Sequence, residues 1–262
     1  MSTPDPNRPT PRDAAYWAKP ITKIKVADVP AGATNLNVDG HAVVSPLQGF
    51  GALWQKTYRV RLPGAALSAA DVMRVWKEQF PKFQPPGNHF YPPITGIDPG
   101  RVIFIDSTLP VFPGLPGIVP IAAGVVVIYE DDECFTIMTP EGFPESGWNT
   151  FSVSEEDGVP VAQVQTLARA MDPIYEFGLY VMGGDQFQDR TWQTVLTNLA
   201  AHFGITGQVQ MHKVCLDPRL QWSEARHVWR NAAIRTFFYA LAAPLRWLLS
   251  IGAEQKAVGR GP

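Results

Sequence analysis

The sequence lacks the short motifs that assign a chain to a common class of enzyme. It contains no GxxxxGK[ST] loop, no GxGxxG turn after a strand, no GxSxG and no HExxH. These patterns encode two kinds of phosphate-binding loop, a nucleophile elbow and a zinc-binding helix. Their absence disfavours the common nucleotide-dependent enzymes, serine hydrolases and zinc peptidases.

The sequence also has few cysteines and a small net charge. Cys134 and Cys215 lie far apart without CxxC spacing, and His41, His212 and His227 share no metal-ligand spacing with them. We therefore expect no disulfide framework, no metal site and no cofactor. The net charge of −2 gives no general argument for a nucleic-acid partner. The first residues have no basic start followed by an apolar core, which predicts a cytoplasmic protein without a signal peptide.

Proline, in contrast, is abundant and clustered. Most of the 25 prolines lie in residues 1–20 and 81–120. This distribution predicts one compact domain with long irregular connections and a loose N-terminus, rather than general disorder. We expect a Pro-rich arm over residues 1–52, the main domain over 53–206, and a C-terminal strand, amphipathic helix and tail over 207–262.

Hydrophobic periodicity predicts antiparallel strands followed by a long helix. Apolar and polar residues alternate over 54–62, as in a half-buried strand. Strand-like runs separated by turns extend from Arg101 to Arg169. Asp172-Pro173 then opens a helix whose apolar stripe runs to Phe203 with i, i+3, i+4, i+7 spacing. Because this stripe must be buried, we expect an α+β fold in which a curved antiparallel sheet wraps around the long helix.

Residues 222–251 predict an additional amphipathic helix. Arg235 and Arg246 lie on one side of the helical wheel, and apolar side chains lie on the other. The apolar face consists of Ile234, Phe237, Phe238, Leu241, Leu245 and Leu248. Three alternatives stay open: packing against the domain or a second subunit, insertion into a membrane interface, and a true membrane span. Against the last, only ten residues separate the two arginines, too few to cross a bilayer.

The loop Thr139-Pro140-Glu141-Gly142-Phe143-Pro144-Glu145-Ser146-Gly147 resembles the T-L-P-G-H-P-E-x-G-E loop of an uncharacterised bacterial family. That family is part of the START/birch-allergen-like (SRPBCC) superfamily, and the resemblance extends over 129–203. Phe143 stands where the pattern has His, and Trp148 where it has an acid. The resemblance implies a helix-grip fold with a cavity between the sheet and the long helix. It implies little about activity, because the superfamily includes lipid carriers, hormone receptors, cyclases and hydrolases.

Aromatic and amide side chains are the candidates for binding a ligand in such a cavity. They are Tyr58, Trp76, Tyr91, Phe104, Gln163, Gln165 and Tyr180. The alternative is that the aromatic residues are ordinary core and that the two glutamines lie on a solvated strand face. A register error of one residue would exchange the two faces.

Three residues are candidates for acid–base catalysis. Glu141 and Glu145 flank Phe143-Pro144 and form a possible acid/base pair if they face the cavity. His89 lies in a Pro-rich aromatic loop that would cover the cavity mouth. Solvated loop carboxylates and a structural imidazole are the alternative interpretation.

Three functional hypotheses result. The first is a non-catalytic protein that binds an apolar or amphipathic small molecule or lipid. The second is an enzyme of the cyclase, dehydratase or hydrolase type on the same fold, using His89 with Glu141 or Glu145. The third is a membrane-peripheral or scaffold protein that contacts a membrane surface or a second copy of the chain through residues 222–251.

Overall fold

The computed structural model describes residues 16–64, 67–93, 96–109, 118–244 and 246. The strands within these ranges are Leu53–Arg61 (β1), His89–Tyr91 (β2), Val102–Leu109 (β3), Val119–Glu130 (β4), Cys134–Met138 (β5), Glu145–Glu156 (β6), Val159–Ala170 (β7) and Gln210–Asp217 (β8). The α-helices are Ala69–Glu78 (α1), Pro173–Tyr180 (α2), Gly184–His202 (α3) and Ala232–Leu241 (α4). Short 3₁₀ segments lie at Pro46–Gln48, Phe80–Phe83 and Trp222–Arg230.

The strands form one antiparallel sheet in the order β2-β3-β4-β5-β6-β7-β1-β8. Its longest hairpin joins β6 and β7 through Asp157 and Gly158, both of which have positive φ angles, as a tight hairpin turn requires. β8 pairs with β1, so the strand predicted near the C-terminus extends the same sheet.

The core lies between one face of this sheet and the helices. Trp192, Leu196 and Leu199 of α3 are buried against side chains such as Tyr58 and Val164. These positions belong to the stripe that the sequence predicts to be buried. The sheet is curved, and with α3 packed on its concave side the chain has the helix-grip fold expected of the START/birch-allergen-like superfamily.

The long helix predicted after Asp172 is divided into two. α2 ends at Tyr180, and α3 begins at Gly184. Gly183 between them has a φ of 80°, a left-handed conformation that interrupts a helix and that glycine adopts readily. α2 and α3 are therefore separate helices, and both contribute side chains to the space above the sheet.

The N-terminal arm covers part of the outer face of the sheet. Ile24 and Val38 are buried against Phe104 and Val126, whose side chains point away from α3. The arm therefore forms a small second core on the convex side.

α4 covers a strand edge that β5 leaves unpaired. β5 pairs with β4 only from Val126 onward, so the first half of β4 needs other partners on that side. The amide of Ala122 donates to Thr236 Oγ1 at 3.1 Å, and Asn37 Nδ2 donates to the Ala122 carbonyl at 2.7 Å. The first turns of the predicted amphipathic helix thus pack against the sheet.

The apolar face of α4 is only partly covered. Phe237 and Phe238 are 50% and 61% exposed. Leu245 and Leu248, which the sequence places on the same face, lie outside the described residues. Across the described ranges, no helix has both the length and the apolar composition to cross a bilayer.

Candidate functional site

A cavity of about 650 Å³ lies between the concave face of the sheet and α2, α3 and α4. Its walls are mainly apolar; examples are Ile105, Ala123, Ile137, Leu179, Phe187 and Phe237. Both the volume and the apolar walls are typical of sites for small organic molecules.

Polar side chains form a minority of the cavity lining. Glu145, Asn149, Gln188 and Thr191 lie on its sheet and α3 sides, and Asn88, Ser107, Tyr175 and Asn231 also belong to it. Among the described residues, Glu145 is the only carboxylate in the lining, and no Lys, Arg or His belongs to it. In the same ranges no three His, Cys, Asp or Glu side chains are grouped as a metal site would require.

The 139–147 loop positions Glu145 at the start of β6. Thr139 Oγ1 accepts a hydrogen bond from the amide of Gly147 at 3.0 Å, which closes the loop at its base. Ser146 Oγ donates to the carbonyl of Ser45 in the N-terminal arm at 2.7 Å. The loop is thereby anchored on the outside, and Phe143, Pro144 and Glu145 are directed into the cavity.

The C-terminal segment holds the same loop from the other side. The Gly142 carbonyl accepts from the amide of Ala232, the first residue of α4, at 2.9 Å. Gly142 has a φ of 91°, and a Cβ added there would lie 2.1 Å from the Arg230 carbonyl oxygen. This close approach requires glycine at position 142. The 139–147 loop, which carries the family resemblance, therefore holds the start of α4 beside the cavity.

The side chain of Glu145 has one hydrogen-bond partner among the described residues. Gln188 Nε2 donates to Glu145 Oε2 at 2.6 Å, and Gln188 Oε1 in turn accepts from Lys56 Nζ. Burial raises the pKa of Glu145 to about 7; Lys56 partly offsets this increase, and the carboxylates of Asp185 and Asp189 add to it.

A buried charge cluster lies behind Glu145. Lys56 Nζ is 2.5 Å from Asp185 Oδ1 and 3.4 Å from Asp189 Oδ1. Lys213 Nζ is 2.6 Å from Asp185 Oδ2 and 2.7 Å from Asp189 Oδ2. The two ammonium groups therefore balance the two aspartates, and no salt bridge reaches Glu145 in the described part of the chain.

Two of the predicted ligand-binding residues lie in the closed core instead of the cavity wall. Tyr58 is fully buried and donates from its hydroxyl to Asp189 Oδ1 at 2.6 Å. Trp76 of α1 is also fully buried, with its ring 5.6 Å from that of Phe151. Since both side chains are packed on all sides, neither is available to a ligand in the cavity.

Four others lie on the outer face of the sheet. The core-facing residues of β7 are Ala162 and Val164, so Gln163 and Gln165 point outward, and Gln165 Nε2 donates to Thr57 Oγ1 at 3.4 Å. With this register, Gln163 and Gln165 do not point into the cavity, so they cannot bind the polar group of a ligand there.

The alternation of side chains along a strand explains why the aromatic candidates on β2 and β3 point away from the cavity. Phe90 and Ile105 face the core, so Tyr91 and Phe104 face the arm. Tyr180, near the end of α2, is half exposed with its ring 6.3 Å from that of Trp54 and does not line the cavity.

The three catalytic candidates are not brought together. His89 is exposed on β2, on the side opposite to Phe90. Glu141 Oε1 lies 3.2 Å from His227 Nδ1 and does not belong to the cavity wall. Glu145 alone of the three lines the cavity, so the structure does not support an acid/base pair.

Asn149 and Gln188 line the cavity but are not among the predicted residues. Asn149 follows Glu145 by four residues on β6 and so shares its face. Gln188 precedes Trp192 by one helical turn and so lies beside the apolar stripe. If Phe151 and Trp192 are assigned to the core, the periods of the strand and of the helix predict that Asn149 and Gln188 face the same interior.

No protein-family model matches the chain, and no curated protein matches it in sequence. Similar solved structures include protein Ms6760 from Mycobacterium smegmatis, at 16% identity over 57% of this chain and 90% of that chain, with a TM-score of 0.39. The di-domain ARO/CYC StfQ from the steffimycin biosynthetic pathway is 11% identical over 57% of this chain and 50% of that chain, with a TM-score of 0.41.

A major latex-like protein from Panax ginseng is 10% identical over 58% of this chain and 99% of that chain, with a TM-score of 0.38. These similarities are too low to indicate a function. The fold assignment is based on the strand order and on the packing of α3.

Proposed function

We propose that this protein binds an apolar or amphipathic small molecule in the cavity, without catalysing its conversion. The cavity itself is the observation that carries the proposal. It is large, and most of its lining residues are apolar. Transfer of a ligand's apolar surface from water into such a space is favourable by about 25 cal/mol per Å².

The positions of the catalytic candidates support binding without turnover. His89 and Glu141 lie away from the cavity wall, so a ligand in the cavity would contact neither of them. The polar groups that it would contact, such as Asn149 and Gln188, are suited to orienting a ligand by hydrogen bonds.

Native mass spectrometry of the purified protein, followed by organic extraction, tests this proposal. We expect a fraction of the protein to carry one apolar molecule that solvent releases. A mass of the bare chain alone, both directly after purification and after incubation with a total lipid extract, would contradict it.

A second candidate function is an enzyme that uses Glu145 alone as its acid–base group. The observation that favours it is the pKa of Glu145, which burial raises to about 7, the range suited to proton transfer at neutral pH. The extracted molecule should be incubated with the wild-type protein and with Glu145→Gln. Conversion by the wild type alone favours the enzyme, and recovery of unchanged ligand from both excludes it.

A third candidate is contact with a membrane surface at the cavity mouth. Ile174 of α2 and Phe237 and Phe238 of α4 line the cavity and are also 46%, 50% and 61% exposed. Apolar side chains grouped in this way are typical of interaction sites. Sedimentation with phosphatidylglycerol-containing vesicles tests the idea, since the wild type should pellet more than a Phe237→Ser/Phe238→Ser variant. Equal soluble fractions would exclude it.

A further inference from the structure

The polar end of the cavity, defined by Glu145, Asn149, Gln188 and Thr191, presents a carboxyl group that forms no direct ion pair within the described ranges. Glu145 Oε2 accepts from Gln188 Nε2 at 2.6 Å. Within the described ranges, Glu145 Oε1 has no hydrogen-bond partner, although the residue lines the cavity. A ligand group at this end would therefore meet an oxygen that is free to accept a hydrogen bond.

The nearest cation is not available to a ligand. Lys56 Nζ donates to Asp185 Oδ1 and to Gln188 Oε1, and it also lies within 3.4 Å of Asp189 Oδ1. Two of the three ammonium donors are therefore used by Asp185 and Gln188, and Asp189 is a further ion-pair partner. The Gln188 amide stands between Lys56 and Glu145, and Lys56 does not line the cavity.

This arrangement distinguishes ligands by the charge of their polar group. A carboxylate at the polar end would be desolvated next to Glu145, with no cation among the described lining residues to pair with it, which is unfavourable. An ammonium group in the same place would donate to Glu145 Oε1 and form a charge-assisted pair in a water-poor environment.

We infer that the cavity selects apolar molecules that carry a single basic amino group, which pairs with Glu145, over apolar molecules that carry a carboxylate. The inference rests on the proposed function, since it names the ligand class for the same cavity. Neutral alcohols of the same length should fall between the two classes, because a hydroxyl group donates one uncharged hydrogen bond.

The protonation of Glu145 is consistent with this preference. Burial raises its pKa to about 7, so a large fraction of the carboxyl groups is neutral near pH 7 when the cavity holds no cation. A bound ammonium group would favour the ionised form and lower that pKa. A bound carboxylate would have the opposite effect.

The test compares decylamine, decan-1-ol and decanoate, which share one alkyl chain. Each displaces the neutral fluorophore N-phenyl-1-naphthylamine from the full-length protein at about pH 7.5 and below its micelle concentration. We expect decylamine to bind at least about tenfold more tightly than decanoate. Glu145→Gln should weaken decylamine binding by about tenfold and leave decan-1-ol within about twofold.

Glu155→Gln is the matched control, because Glu155 is an exposed carboxylate on the same strand and should change none of the three affinities. Equal or tighter binding of decanoate would overturn the inference, as would decylamine binding that Glu145→Gln leaves unchanged. Failure of the fluorophore and of all three competitors to bind would instead overturn the proposed function.

Discussion

Glu145 shows how its surroundings determine the chemistry of one carboxyl group. Glu141, four residues earlier in the same loop, has His227 and Arg230 within 4 Å of its oxygens. Glu145 is directed into the cavity and receives a hydrogen bond from a neutral amide. Burial raises its pKa more than the charge of Lys56 lowers it. Glu145 is also the only carboxyl group in the cavity lining among the described residues.

Replacing Glu145 by Gln should reduce the pH dependence of stability. The folded protein keeps the Glu145 proton up to about pH 7, whereas the unfolded chain releases it near pH 4.5. Between these values the folded state binds more protons, so the wild type loses stability as pH rises. The loss relative to Glu145→Gln should reach up to about 3 kcal/mol.

Urea unfolding of both proteins across this pH range measures the difference directly. Asp172 and Glu176, whose pKa values burial also raises, are present in both proteins and cancel in the comparison. Parallel stability curves for the two proteins would show that Glu145 does not titrate in this window.

At the scale of elements, the 139–147 loop depends on contacts with both ends of the chain. The N-terminal arm accepts a hydrogen bond from Ser146, and the first residue of α4 donates one to Gly142. The sequence singles out this loop by its resemblance to a family motif. The structure adds a physical reason, since the loop joins the arm, the sheet and α4 next to the cavity.

Gly142→Ala should destabilise the protein more than Gly158→Ala. Both glycines have positive φ angles, so each substitution costs about 1–2 kcal/mol in backbone strain. Only at Gly142 would the new Cβ also collide with a backbone carbonyl, that of Arg230, while the space around Gly158 is open. We expect a total loss above about 3 kcal/mol for Gly142→Ala. Equal losses in chemical denaturation would argue against the close contact with Arg230.

Asn231, the N-cap of α4, links this helix to the N-cap of α2 through one buried hydrogen bond and caps α4 through a second, partly buried one. Its Nδ2 donates to Asp172 Oδ2 at 2.9 Å, and its Oδ1 accepts from the amide of Ile234 at 3.1 Å. Asn231→Ala removes a helix cap and one partner of a buried carboxyl group, which should cost about 2–3 kcal/mol.

Ser68→Ala removes only the exposed cap of α1 and should cost about 1 kcal/mol, so it serves as the comparison. Hydrogen exchange should also become faster in α4 of Asn231→Ala. Unchanged exchange there would show that the link to Asp172 does not hold α4 in place.

The sequence predicts which segments form helices and strands. It does not predict on which side of the sheet an individual side chain lies. The alternation over 54–62 and the stripe of α3 define β1 and the buried helix, because a period of 2 or 3.6 is a local property. The sequence makes Gln163 and Phe104 candidates for the cavity, but both side chains face outward, since the face of a strand that is buried depends on which neighbour covers it. The arm that covers Phe104 comes from residues about 70 positions earlier.

At the scale of the whole molecule, the cavity exists because distant segments meet over the sheet. β3, β4 and β6 form one side, and α2, α3 and α4 form the others. No local pattern encodes such a space, because its volume depends on the break at Gly183 and on α4 closing the edge of β4. The faces of Asn149 and Gln188 follow from strand and helix periodicity, but that these faces line a cavity depends on the segments that meet over the sheet.

Gly178 offers a way to fill the cavity without disturbing its walls. It lies in α2 and lines the cavity, and a Cβ added there would have no heavy atom within 4 Å. Because glycine weakens a helix interior by about 1 kcal/mol relative to alanine, a larger residue should be tolerated by the fold. Gly178→Phe therefore places an aromatic ring where the ligand is proposed to bind.

Fluorescence titration with N-phenyl-1-naphthylamine is the most direct test of the cavity as the binding site. It compares the wild type with Gly178→Phe and with Ala70→Phe, which adds a similar ring on the exposed side of α1. We predict that Gly178→Phe weakens binding by at least about tenfold while its thermal unfolding remains cooperative, and that Ala70→Phe binds like the wild type. Undiminished binding by a folded Gly178→Phe variant would contradict the assignment of this cavity as the ligand site.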